Sequence, residues 1–251
     1  MGLLSKERFV CFDCETTGLD LQNDRIIEIG VVRFTLDDGV IESWSSLVDP
    51  EMDIPKSSIE IHNITPEMVA GAPKVAEVIP KLVDFVGDAM VVGHGIRFDV
   101  EIVLAEAKRV GIGCTLGARQ QIDTLRLARN YGDSPSNSLE MLRCHFNVEG
   151  DQAHRALSDA RVNSEVFCHL ARRYQTTQDL LKLLSKPVLL KTMPLGKHKG
   201  RLMREIPENY LRWAARQEFD EDLLFSVRSE LKARRKGQGR PSGGHNPFQD
   251  L

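Results

Sequence analysis

The sequence predicts an α/β domain, a mixed sheet flanked by helices. Three observations carry that prediction. The first fifth of the chain holds three strand-like runs in close succession, joined by turn signals. Short apolar strands then alternate with stretches of helical periodicity. The 251 residues suffice for one large domain, alone or with a small one, and 41% hydrophobic and 27% charged residues are ordinary for a soluble globular chain. Strands first, then strands alternating with helices, imply both antiparallel and parallel pairing in one sheet.

In order, Phe9, Val10, Cys11 and Phe12 are strand formers, and Thr17-Gly18 ends their run. Leu19 to Arg25 is polar and turn-like. Ile26 to Phe34 is rich in β-branched residues and reads as a buried strand. Asp37-Asp38-Gly39 is a hairpin signal, and Val40 to Val48 is the returning strand. Ser57 to His62 allows one helical turn. Thr65-Pro66-Glu67 combines an N-cap with Pro at the first helical position, so a short helix starts there. Another starts at Ala72-Pro73, with Val75, Val78, Ile79, Leu82, Val83 and Val86 at helical spacing. Ala89 to Val92 is a short strand. Phe98 to Val110 is a helix ended by Gly111. Gln121-Ile122 is a brief strand, and Asp123 opens a helix through Asn130. Ser138 to His145 reads as the next helix, and Ala156 to Tyr174 as the last one of this body.

The net charge of −3 hides an asymmetry. Residues 185–251 carry 14 Lys+Arg against 8 Asp+Glu, whereas residues 1–184 carry 19 against 28. Carboxylates that bind metal account for part of the body's charge, and a basic end suits a polyanion. The five cysteines, Cys11, Cys14, Cys114, Cys144 and Cys168, are odd in number and scattered, which excludes a disulfide framework and fits a reducing cytoplasm. Cys11 and Cys14, three apart on a strand, face opposite sides and read as core residues. No apolar run approaches a transmembrane span, and neither a signal peptide nor a membrane partner is expected.

Candidate chemistry begins with Asp13 and Glu15. Two apart on a strand, they project side by side from its end. Adjacent carboxylates repel, and half-burying them costs free energy unless a cation sits between them. Hard ions such as Mg²⁺ or Mn²⁺ prefer such oxygens. Taken alone, the pair reads equally as a strand ending in two solvated acids. Asp99 lies between a strand and a helix, in Gly93-His94-Gly95-Ile96-Arg97-Phe98-Asp99, and reads either as a helix cap or as a further acid near the pair. Asp159 lies about 60° off the centre of a core-facing helical stripe formed by Ala156, Ala160, Asn163, Phe167, Leu170 and Tyr174. A carboxylate there needs a partner or a metal. His154 precedes it by five residues, about 140° away on a continuous helix. The two converge only if the helix begins after His154; a surface or capping histidine is the alternative.

The joint pattern is Asp-x-Glu at the end of the first strand, Gly-x-x-x-x-Asp after a later strand, and His-x-x-x-x-Asp opening the last helix. It resembles the three exonuclease motifs of the DEDD superfamily in its histidine-containing branch. DnaQ-like proteins, including the proofreading ε subunit of bacterial DNA polymerase III, belong to that branch. The resemblance covers about residues 7 to 175 and includes all five defining positions: Asp13, Glu15, Asp99, His154 and Asp159. It implies an RNase H-like, five-stranded mixed sheet flanked by helices. It further implies two Mg²⁺ or Mn²⁺ ions held by Asp13, Glu15, Asp99 and Asp159, with Asp13 bridging and His154 as general base. The activity implied is 3′→5′ hydrolysis of DNA 3′ ends, single-stranded by preference, releasing nucleoside 5′-monophosphates in proofreading or repair, with a DNA polymerase complex as a partner. Trimming of RNA, and a non-catalytic nucleic-acid-binding role, stay open as alternatives. For the substrate, the resemblance implies contacts from the backbone and hydroxyls of Thr16 and Thr17, from Gly18, from Leu19 as an apolar wedge, and from His62 and His94.

Ser185-Lys186-Pro187 marks a break. The sequence divides into an exonuclease-like domain over 7–180, a small α+β module over 186–231, and a basic disordered tail over 232–251. The module's Met-Pro-Leu-Gly-Lys-His-Lys-Gly and Ile-Pro-x-x-Tyr-Leu-x-Trp segments resemble a module attached to some exonuclease X-like proteins. It reads as a hairpin or turn plus one or two short helices, with Tyr210, Leu211 and Trp213 in its core. Gly196 and Gly200 with two lysines suit a phosphate cradle, or a basic surface hairpin without specific function.

Overall fold

The computed structural model describes residues 3–134, 136–150 and 154–238. The chain forms two compact units, one through Leu184 and one from Ser185 onward. In the first, β1 (Phe9–Thr16), β2 (Ile26–Thr35) and β3 (Gly39–Leu47) pair antiparallel. β4 (Met90–Gly93) joins β1 in parallel and β5 (Gln121–Asp123) joins β4 in parallel, giving the order β3-β2-β1-β4-β5. This is the five-stranded mixed sheet expected. Its helices are α1 (Lys56–His62), α2 (Pro66–Val69), α3 (Val75–Val86), α4 (Arg97–Arg109), α5 (Thr124–Tyr131), α6 (Leu139–Phe146), α7 (Ala156–Ala171) and α8 (Thr177–Leu184).

Alternation along β1 sorts its side chains into two cores. Val10, Phe12 and Cys14 pack with Val78, Ile79 and Leu82 of α3 and with Ile102 and Val103 of α4. Phe9 and Cys11 pack on the other face with Phe167 of α7, and the Phe9 and Phe167 rings meet edge-on at 5.0 Å. Asp13 and Glu15 continue the face of Phe9 and Cys11, so they look toward α7. Distances along the two elements match. Phe9 to Asp13 is about 13 Å of strand, and Phe167 back to Asp159 is about 12 Å of helix. With Phe167 over Phe9, the start of α7 arrives at the acidic end of β1.

Gly30 permits this approach. A Cβ on Gly30 would lie 2.1 Å from the Leu157 amide nitrogen and 2.2 Å from the Ala156 carbonyl carbon. The backbone of α7 therefore rests on β2 where no side chain fits. Glu28, on the same strand, is 3% exposed and accepts the Ala156 N–H at 3.0 Å.

Four features differ from the sequence reading. The long helix ends at Ala171 rather than Tyr174, and α8 follows it, so the first unit continues to Leu184. Asp179 N–H donates to Thr176 Oγ1, a cap that starts α8, and Leu180 and Leu184 bury one face. In the second unit, a bridge between Thr192 and Leu202 closes a turn, followed by α9 (Glu208–Ala214) and α10 (Glu221–Gln238). Its core holds Met193, Met203, Ile206, Leu211, Ala214, Leu223, Val227 and Leu231, but Trp213 is 48% exposed and stands outside it. Finally, residues 232–238 are helical, not part of a disordered tail. Leu223, Val227 and Leu231 anchor α10 at four-residue spacing. Arg234 pairs with Glu230 and donates to the Met203 and Arg204 carbonyls, which carries the helix onward. The rest of that tail, 239–251, lies outside the described residues. Among the described residues no helix is long and apolar enough to cross a membrane.

Replacing Gly30 with Ala tests the docking of α7. The added methyl has no free space, so Gly30→Ala should destabilise the fold by about 1–3 kcal/mol and displace Asp159. Denaturant unfolding that matches the wild type would show that α7 tolerates a side chain beneath it.

Candidate active site

Asp13 and Glu15 end the central strand, and Asp159 enters from the first turns of α7. One carboxylate oxygen from each lies within 4.8 Å of the other two. The three line a cleft of about 590 Å³ together with His94 and His154. Asp99 lies in the first turn of α4, buried behind β1 rather than among the three. Its Oδ1 accepts the Cys14 N–H at 3.0 Å. The reason lies in the sheet. β4 pairs with β1 only from Phe9 to Cys11, so beyond Cys11 the strand's edge on that side lacks a neighbour, and Asp99 satisfies it.

Asp159 Oδ2 accepts the Arg155 N–H at 3.1 Å, which ties the carboxylate to the entry of α7. His154 lies outside that helix, exposed, with φ of 62°. Arg155 turns the other way. Its guanidinium makes a bidentate pair with Glu28, at 3.1 and 2.6 Å. Sequence reasoning missed Glu28 and Arg155. The available signal was an acid inside an otherwise apolar, β-branched strand, which requires a buried partner.

Charge crowding dominates the electrostatics. Burial, then the Asp99, Glu15 and Asp159 charges, push the Asp13 carboxyl well above the usual range. Burial, with Asp159 and Glu28 nearby, raises Glu15 to about 8. Burial raises Asp99 to about 7 against the opposing Cys14 hydrogen bond, and burial also raises Asp159, opposed by His154. A set of carboxylate oxygens this close, with ionisation this disfavoured, fits hard divalent cations.

The expected substrate residues scatter more. His94 lines the cleft with Nδ1 3.0 Å from Thr124 Oγ1, and burial lowers it to about 4, so it is neutral at neutral pH. His62 is 2% exposed. Its Nδ1 accepts the Ile64 N–H at 2.9 Å, while its Nε2 has no partner. Leu19 is 81% exposed in the turn after β1. In that turn Thr16 Oγ1 donates to the Gly18 carbonyl, and the Asp24 carboxylate fills the space where a Gly18 Cβ would stand. Thr17 departs from expectation. Its N–H donates to the Arg25 carbonyl, and its hydroxyl donates to Asp24 and accepts the Arg25 N–H. The turn's own polar groups consume Thr17, leaving neither its N–H nor its hydroxyl proton for a substrate.

A family model described as "Exonuclease" matches residues 10–167, the segment that holds Asp13, Glu15, Asp99, His154 and Asp159. The chain belongs to this exonuclease family. Exonucleases of this type use divalent metal ions. The chain is 35% identical over 197 residues to the PolC-type DNA polymerase III of Clostridium perfringens, covering 75% of this chain and 13% of that protein. The corresponding protein of Thermotoga petrophila is 37% identical over 160 residues, 63% of this chain and 11% of its own. The chain thus spans roughly an eighth of the length of these curated relatives. Among solved structures it is similar to exonuclease X in complex with 5′-overhanging duplex DNA, at TM-score 0.57 and 25% identity over 70% of this chain and 98% of that one. It shares the fold of Escherichia coli exonuclease I in complex with a dA16 oligonucleotide, at TM-score 0.62 and 20% identity over 72% of this chain and 43% of that one. A second family model, described as "Putative quorum-sensing-regulated virulence factor", matches residues 178–226.

Two predictions follow from this geometry. Arg155→Met strands the buried Glu28 carboxylate, whereas Glu28→Gln leaves a half-exposed cation able to turn to water. Arg155→Met should therefore cost more, about 1–3 kcal/mol for the unsatisfied group. Equal losses by chemical unfolding would contradict that asymmetry. The second concerns pH. Glu15 and Asp99, ordinarily at 4.5 and 3.8, are raised to about 8 and about 7 in the fold. The folded state then holds protons that the unfolded state releases, so stability is full below about pH 4 and falls as pH rises toward 8. With EDTA present, Tm should fall across this window, and Mg²⁺ at pH 8 should recover it. A metal-insensitive Tm at pH 8 would argue against the carboxylates as ligands.

Proposed function

We propose that this chain is a metal-dependent 3′→5′ exonuclease acting on single-stranded DNA 3′ ends, in a proofreading or repair setting. The observation that carries this reading is the convergence of Asp13, Glu15 and Asp159 within 4.8 Å, beside His154. Asp13, Glu15 and Asp159, with Asp99 beside them, would hold the Mg²⁺ or Mn²⁺ ions. When bound, the ions stabilise charge on the attacking and leaving oxygens of the phosphodiester.

The chain's own groups do the rest. His154 accepts the proton of the attacking water. The new bond forms between that water's oxygen and phosphorus, and the bond from phosphorus to the 3′-oxygen of the preceding nucleotide breaks, releasing a nucleoside 5′-monophosphate and leaving that oxygen on the shortened strand, where a proton from solvent restores the 3′-hydroxyl. His94, neutral in its buried place, serves as a hydrogen-bonding wall of the cleft. Leu19, exposed beyond β1, is the apolar group available to the terminal base. Thr16, Gly18 and His62 support the substrate-side surface through the turn and through α1. An unpaired 3′ end enters at least cost because no base pair must open. The PolC-type relatives support a replicative context with a DNA polymerase complex as partner.

The test compares 5′-labelled single-stranded DNA, mismatched primer–template and short RNA, each with Mg²⁺, Mn²⁺ or EDTA. Wild type should shorten the DNA from its 3′ end with either metal and not with EDTA. Asp13→Ala should abolish cleavage in a folded protein, and His154→Ala should lower the rate by about 10²–10⁴-fold while leaving metal binding intact. Release of label from the 5′ end, or faster cleavage of RNA, would sink the reading.

A further inference from the structure

The second unit, taken by itself, carries a surface that hydrolysis does not use. The rings of His198, Tyr210, Trp213 and Phe219 follow one another at centroid separations of 4.5, 5.1 and 6.2 Å. The row is rooted at one end, where His198 is buried, and emerges at Trp213, which stands 48% exposed on α9. An indole held half in water by the ring behind it is a preformed flat apolar face.

Cations border the rooted end. Lys197 and Lys199 flank His198 and are exposed, and among the described residues neither is held in an ion pair. Arg201 Nη1 lies 3.4 Å from His198 Nδ1. On α9, Arg212 neutralises Glu208 at 2.6 Å, and Arg216 stands exposed one turn beyond Trp213. The carboxylates of Glu218 and Asp220 sit at the Phe219 end.

The backbone after His198 in this turn is already engaged. The N–H groups of Lys199, Gly200 and Arg201 donate to the Gly196, Met193 and His198 carbonyls at 3.0, 2.8 and 3.1 Å. Phosphate contact here falls to the side chains. Gly196, with φ of 72°, seats the turn on the row, since a Cβ there would lie 2.9 Å from Tyr210 Oη.

An exposed ring beside unpaired lysines is complementary to a polymer that alternates flat bases with phosphates. We propose that this surface binds single-stranded DNA, with a base stacked on Trp213 and neighbouring phosphates met by Lys197, Lys199 and Arg201. The choice of DNA rests on the exonuclease reading of the first unit; the stacking surface does not.

The chain's two tryptophans, Trp44 and Trp213, make the test direct. In full-length protein, Trp44→Phe leaves Trp213 as the one indole, and Asp13→Asn prevents digestion. This protein is titrated with an oligothymidylate and with an abasic strand of equal length. The oligothymidylate should quench Trp213 emission and the abasic strand should not. On the same background, Trp213→Leu should weaken binding of a labelled strand roughly tenfold or more, and Trp213→Phe, which keeps a ring, should restore most of it. Lys197→Ala and Lys199→Ala should each make the salt dependence shallower by about 0.7. Quenching without any nuclease activity in wild type would retain this surface and reject the hydrolytic reading. Unchanged emission at saturating DNA, or equal quenching by the abasic strand, would overturn the proposal and leave a protein as the occupant. Tighter binding of an oligoribonucleotide would overturn the choice of DNA.

Discussion

Mutual repulsion among Asp13, Glu15, Asp99 and Asp159 is the constraint that the first unit is built to withstand. Left to itself, a chain relieves such repulsion by moving the acids apart or by holding protons, and the raised carboxyl groups of Asp13 and Glu15 are the second response. The first is blocked. β1 is the central strand, hydrogen-bonded on one side along its length to β2 and packed on both faces. Asp13 and Glu15 cannot separate without breaking that ladder. Asp99 cannot leave without orphaning the Cys14 N–H. The scaffold therefore fixes an arrangement that is unfavourable without cations, and the same rigidity is what a preorganised hydrolytic site requires.

Asp159 is brought in by a different device. The start of α7 has no apolar anchor among the acids, so backbone fit and one ion pair locate it. Gly30 lets helix and strand backbones touch, and Glu28 takes both the Arg155 guanidinium and the Ala156 N–H. Glu28 adds a further negative charge to a crowded site, which by electrostatics alone is the wrong residue. Its Arg155 partner resolves the conflict, because the pair is close to neutral while holding the entry of α7 at one height along the sheet. The large apolar contacts, Phe167 against Phe9 and Phe34, lie two turns further on and set the direction of α7.

The legible parts of this molecule were those governed by local periodicity. Period two placed Asp13 and Glu15 on one face and sent Cys11 and Cys14 to opposite cores. The alternation of strands and helices gave the class of fold. What stayed hidden depended on distant partners or on competition within a turn. Glu28 was visible as an acid in a buried strand, but its partner is 127 residues away. The hydroxyl of Thr17 looked available until Asp24 and Arg25 folded back onto it. Trp213 reads as core because tryptophan buries most of its surface on average, yet the helix carries Leu211 and Ala214 inward and Trp213 outward. Residues 232–238 read as tail from their charge, although Leu231 and the Arg234 contacts continue the helix through them.

The placement of His154 follows from a change of backbone conformation that spacing alone could only pose as a condition. Five residues on one helix would hold His154 and Asp159 about 140° apart, and the imidazole would turn away from the acids. Helix α7 instead begins at Ala156, and His154 precedes it with φ of 62°, a left-handed conformation that costs a non-glycine residue free energy. Immediately after it, Arg155 is held at both ends, its N–H by Asp159 and its guanidinium by Glu28. The strained residue is thus joined to a fixed one. The carboxylates belong to the rigid sheet and helix, whereas the histidine belongs to the segment leading into them. That division lets His154 line the cleft beside Asp159 without taking a place among the carboxylates, which is the position the proposed role of proton acceptor requires.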